Sequence, residues 1–74
     1  METVIKGTKT IEEYKEVKAK LEKLAIEAFE RHKKAFEGWS EGDIKKAWFD
    51  DRGVLCIQYT SGNWWHYEND GTWW

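Results

Sequence analysis

Proline is absent from this chain and cysteine occurs once, and each scarcity removes options. Without proline, nothing obliges a helix to kink or stop. A lone Cys56 excludes an internal disulfide and points to a reducing, cytoplasmic setting. No apolar run follows Met1 and none approaches the length of a membrane span, so neither a signal peptide nor a transmembrane helix is expected. An excess of one charge is also missing, since 12 Lys and Arg stand against 14 Asp and Glu. Residues 39–74 carry three basic and six acidic side chains. A nucleic-acid module usually shows a basic stripe, and this segment runs mildly the other way. Repeats and low-complexity linkers are lacking too, so 1–74 reads as a single domain.

What is abundant is aromatic surface. Six Trp, three Tyr and three Phe occur in 74 residues, and five of the Trp lie from Trp48 onward. A chain this short buries only about 60% of its unfolded surface. Dense aromatic packing, at roughly 150–250 Å² per buried ring, and self-association are the remaining sources of stability.

The first half predicts a helix over residues 10–38, after a lead-in over 1–9 in which Val4 and Ile5 either form an edge strand or pack under the helix. Thr10-Ile11-Glu12-Glu13 is a capping box, and Gly38 is the expected left-handed residue beyond the end. Ile11, Tyr14, Val17, Leu21, Leu24, Ala25, Ala28, Phe29, His32, Ala35, Phe36 and Trp39 share one arc of roughly 140° at 100° per residue, as in a helix lying on a sheet. Glu16–Lys20, Glu27–Arg31 and Glu30–Lys34 stand at the favourable spacing on the solvated side. His32, in mid-stripe, reads as a core histidine bonded to backbone. A helix of this length, roughly 42 Å at 1.5 Å per residue, overhangs strands of about 20 Å. A second copy of the chain is the expected cover for the excess stripe.

The second half predicts strands over 44–74. Lys45–Asp50, Val54–Thr60, Trp64–Asn69 and Thr72–Trp74 are separated by Asp50-Asp51-Arg52-Gly53, Ser61-Gly62-Asn63 and Asp70-Gly71, the last a type I′ signal. The fold class is α+β: one long N-terminal amphipathic helix packed on a C-terminal three- to four-stranded antiparallel β-meander. Alternation places Phe49, Leu55, Ile57, Tyr59, Trp65, Tyr67 and Trp74 toward the helix. Trp48, Cys56, Gln58, Trp64, His66, Glu68 and Trp73 fall on the other face. Adjacent Trp64-Trp65 and Trp73-Trp74 must point to opposite sides if they lie on strands, so some indoles cannot reach the helix side.

Exposed aromatic patches usually mark binding surfaces, and tryptophan leads among interface hot spots. The expected function is a stand-alone protein-binding module, an inhibitor or adaptor by analogy with compact binders of phages and mobile elements. It would act by occlusion through Trp48, Trp64 and Trp73, ringed by Gln58, His66 and Glu68. The competing reading is an aromatic cluster that merely stabilises a thin sheet. Catalysis is not expected: Cys56, His66 and Glu68 could share a face, but nothing suggests a pocket or an oxyanion hole. One Cys and two His fit no standard zinc spacing, and neither metal nor cofactor is expected.

The string GNWWHYENDGTWW, about thirteen residues, resembles the aromatic hairpin repeats of choline-binding cell-wall modules. That resemblance implies Trp64, Trp65, Tyr67 and Trp73 as ring donors around a quaternary ammonium, held by cation–π attraction. A small cationic or carbohydrate ligand is therefore the alternative function. Single-stranded nucleic acid, stacking on the same rings, is a second alternative, disfavoured because the meander offers only Lys45, Lys46 and Arg52 for phosphates.

Overall fold

A computed structural model describes every residue from Met1 to Trp74. Strand β1 (Glu2–Val4) leads into helix α1 (Ile11–Lys34), followed by β2 (Ile44–Phe49), β3 (Leu55–Tyr59) and β4 (Trp64–Tyr67). The four strands form one sheet in the order β1-β2-β3-β4. Strands β2, β3 and β4 are antiparallel neighbours, while β1 lies parallel to β2, Thr3 opposite Ala47. The α+β class stands, but the sheet is mixed. The fourth strand is the N-terminal lead-in; Thr72–Trp74 adds only a single bridge, Tyr67 to Trp73.

Thr10 caps α1 as its sequence requires, its hydroxyl accepting from the Glu13 amide at 3.0 Å. The return half of the capping box differs: the Glu13 carboxylate accepts from the Lys9 amide at 2.9 Å. The helix ends at Lys34 with Ala35 as its cap, four residues short of the expected end. Gly38 is not left-handed. The stop comes from packing. Trp39 folds back on Phe29 and Tyr59, at centroid distances of 5.8 and 5.2 Å, and its indole N–H donates to the Gly42 carbonyl at 2.8 Å. A helix continued to Gly38 would carry that ring away. Lys18–Glu22 forms the one ion pair along the helix, at 3.7 Å. The three anticipated pairs stay open, as exposed pairs worth about 0.5 kcal/mol readily do.

Leu21, Ala25 and Ala28 press onto Ala47, Leu55, Ile57, Tyr59 and Tyr67. Three alanines at the contact let the helix lie close to the sheet, and aromatic rings seal the margins. The N-terminal turns project beyond it: Ile11 is 74% and Tyr14 41% exposed. A bulge between Ile44 and Lys46 pairs Ile44 with Tyr59 and lets it pack on the core, leaving Lys45 in water.

Each hairpin has a three-residue loop whose third residue is a glycine with positive φ: Gly53, Gly62 and Gly71. That length sets Phe49 opposite Leu55 and Ile57 opposite Trp65, as alternation demanded. The last loop overturns one expectation. A type I′ turn needs positive φ at both central residues, and Asp70 does not have it. Instead the Gly71 amide donates to the Glu68 carbonyl, and the Glu68 amide to the Thr72 carbonyl. The loop is Asn69-Asp70-Gly71, one residue longer than expected, and the slip exchanges the faces of Trp73 and Trp74. Trp73 goes under the helix against His32, at 4.4 Å; Trp74 goes to the open face.

Candidate interaction face

The side of the sheet away from α1 carries a continuous row of rings. Trp48 on β2 meets Trp64 on β4 at 5.6 Å, Trp64 meets His66 at 4.9 Å, and His66 stacks on Trp74 at 3.7 Å with planes 3° apart. Each end is closed by a cation. The Lys46 ammonium lies 5.5 Å from the Trp48 ring centroid, and the Arg52 guanidinium 5.5 Å from that of Trp74. The strands explain the row: Trp48 and His66 flank Cys56 as its cross-strand partners, and Trp64 flanks Gln58. Trp74 is held in register by two backbone bonds with His66, at 2.8 and 3.1 Å.

Five of the six residues read from the sequence share this face: Trp48, Gln58, Trp64, His66 and Glu68. The sixth, Trp73, is replaced by Trp74. Trp64 and Trp74 are 49% and 54% exposed. The polar members brace the row. Gln58 donates to the Gly62 carbonyl at 3.2 Å, and the Trp74 indole N–H donates to Glu68 at 3.1 Å. Sequence reasoning weighed Lys46 and Arg52 only as phosphate contacts and Asp50 only as a turn residue; the period-two spacing of Lys46 and Asp50 from Trp48 was the signal that placed those two on the same side.

Asp50 is the electrostatic hub. Its Oδ1 accepts from the Arg52 and Val54 amides at 2.8 and 3.0 Å. Its Oδ2 faces the Arg52 guanidinium at 3.3 Å and His66 Nε2 at 3.8 Å. The Val54 amide, with help from Arg52, holds this carboxyl below the usual carboxylate range. Cys56 beside it is fully buried, and burial, with the Asp50 charge, pushes its thiol up to about 11. A thiol held protonated is no nucleophile.

On the helix side His32 is buried and bonds to a phenol rather than to backbone. His32 Nδ1 and the Tyr67 hydroxyl share a hydrogen bond of 2.7 Å, and the Tyr67 and Tyr59 hydroxyls share one of 2.6 Å. Burial lowers the His32 pKa, opposed in part by the Glu41 carboxylate. His32 also lines a cleft of about 200 Å³ walled by Phe36, Trp39, Trp65 and Glu41. The Glu41 carboxyl is held low by hydrogen bonds from Ser61 and Asn63. The four rings implied by the hairpin resemblance are not gathered: Trp65, Tyr67 and Trp73 pack toward His32, and Trp64 lies on the opposite face.

Fold and face together define a small α+β domain with one covered and one uncovered sheet face. No protein-family model, curated protein or solved structure matches the chain. No helix is long and apolar enough to cross a membrane.

Proposed function

We propose that this chain is a protein-binding module that occludes a surface on a larger protein through the open sheet face. The carrying observation is the row Trp48–Trp64–His66–Trp74, closed by Lys46 and Arg52. Exposed indoles on a rigid sheet lose little side-chain entropy on docking, which is why they dominate interface energetics. The cations are interleaved with Asp50 and Glu68, a mixed pattern that suits a protein rim better than a phosphate track. An inhibitor or adaptor role and a cytoplasmic setting go with this reading, the latter supported by free Cys56.

The test is affinity capture with the purified chain and its Trp64→Ala variant, beside light scattering of both. Stoichiometric capture of one partner, lost in Trp64→Ala while helix content is kept, supports the reading. Equal capture by both forms refutes it. So does a dimer that Trp64→Ala converts to a monomer, which would assign the face to self-association.

A second reading is favoured by the cleft beside His32. Phe36, Trp39 and Trp65 with the Glu41 carboxylate offer rings and a negative charge, as a quaternary or alkylated ammonium requires. Choline at millimolar concentration should then perturb tryptophan fluorescence in the parent chain and not in Trp39→Ala. A flat titration removes this reading.

A further inference from the structure

We propose that Asp50, Cys56 and His66 form a binding site for a divalent transition-metal ion of the zinc type, with one coordination position left open. The three residues come from the end of β2, from β3 and from β4. The fold brings them together because Cys56 and His66 are cross-strand partners and Asp50 follows two residues after Trp48, the other partner of Cys56. One donor atom from each, a carboxylate oxygen, the thiol sulfur and an imidazole nitrogen, lies within 4.8 Å of the other two.

A tetrahedral zinc ion, with bonds of about 2.0–2.3 Å, sets its ligand atoms roughly 3.4–3.6 Å apart. Asp50 Oδ2 and His66 Nε2 stand at 3.8 Å, too far for a hydrogen bond and close to the ligand spacing. No donor pair stands more than 4.8 Å apart, so closing on an ion shortens the widest separation by about 1.3 Å at most.

Two further features prepare the donors. Asp50 commits Oδ1 to two backbone amides, which orients Oδ2 toward His66. The His66 ring is fixed by its stack on Trp74. Restraints of this kind from outside the ligand set are what hold metal ligands in place.

A sulfur, nitrogen and oxygen set selects a borderline ion such as Zn²⁺ or Co²⁺ and disfavours Mg²⁺ and Ca²⁺, which take oxygen. On binding, the metal–sulfur bond replaces the S–H bond and the proton leaves to solvent. The thiolate and the Asp50 carboxylate then balance the ion's two charges. The Arg52 guanidinium, 3.3 Å from Oδ2 and 63% exposed, is the competitor. An entering cation displaces it toward water and the Trp74 ring it already covers. Water takes the open position in the isolated chain.

Titration of the isolated chain with Co²⁺, and then with Zn²⁺ in competition, tests the proposal without any partner. One Co²⁺ per chain should bind with a thiolate-to-cobalt charge-transfer band, and Zn²⁺ should abolish the band. Cys56→Ser should lose the band, and His66→Gln should weaken binding at least tenfold. Arg52→Gln should tighten it several-fold. Should Cys56→Ser fail to fold, His66→Gln and Arg52→Gln still decide. No charge-transfer band in the parent chain, or unchanged affinity in His66→Gln and Arg52→Gln, overturns the site.

Discussion

Tyr67→Phe removes one oxygen from the middle of the Tyr59–Tyr67–His32 chain, and its effect can be worked from the geometry. Tyr67 is 4% exposed and Tyr59 and His32 are 0% and 2% exposed, so water cannot easily replace a lost partner. The Tyr67 hydroxyl makes both bonds, at 2.7 and 2.6 Å. Its removal orphans two buried groups, His32 Nδ1 and the Tyr59 hydroxyl. At about 1–3 kcal/mol for each buried group left unsatisfied, Tyr67→Phe should cost about 2–6 kcal/mol. That is a large share of the roughly 4–11 kcal/mol expected for 74 residues. Tyr59→Phe removes the end of the chain and leaves Tyr67 bonded to His32, so it should cost only about 1 kcal/mol. The double variant orphans His32 alone and should be less destabilised than the two single losses combined, by about 1 kcal/mol. Urea unfolding followed by circular dichroism measures all three, provided the slope with denaturant stays constant. In thermal melts the midpoint of Tyr67→Phe should fall by at least roughly 10 °C. A Tyr67→Phe cost below about 0.5 kcal/mol, or strict additivity, would refute the reasoning.

Trp73→Ala should cost about 3 kcal/mol because the ring packs on buried His32, whereas Trp74→Ala, half exposed, should cost under about 1 kcal/mol. Equal melting points would mean that the last hairpin has the other register. Stability should fall as pH drops from about 7 to 5: burial keeps His32 below its usual 6.5, so the unfolded chain takes up the proton first. His32→Gln should flatten that slope, leaving acid loss below about pH 4, where Glu41, Asp50 and Asp70, all held low when folded, become protonated. Gly42→Ala should destabilise by at least about 1 kcal/mol in the same urea assay. Its φ is +82° and an added Cβ would run into the Thr60 hydroxyl; a neutral effect would mean that the 41–43 turn is not held as described.

Local chemistry made much of this molecule legible. The Thr10 cap, the stripe through Leu21, Ala25, Ala28 and His32, and the alternation through Leu55, Ile57 and Tyr59 are short-range patterns, each with one good solution. The opposed faces of Trp64 and Trp65 followed from strand geometry alone, and so did most of the open-face row.

What tertiary structure decided were the places where local preference was nearly balanced. Asp70-Gly71 suits a two-residue or a three-residue loop, and the choice that buries Trp73 on His32 sent Trp74 to the open face. The helix had no local reason to stop at Lys34; the return of Trp39 to Phe29 and Tyr59 ended it. Val4 could pair or merely pack, and the free edge of β2 drew the lead-in into a parallel strand. Asp50 read as a turn residue, and only the pairing of β2, β3 and β4 set it beside Cys56 and His66. A residue's spacing along one strand is written in its neighbours. Its partners across strands depend on loop lengths and on which rings the core can take, and those are settled only when the whole chain packs.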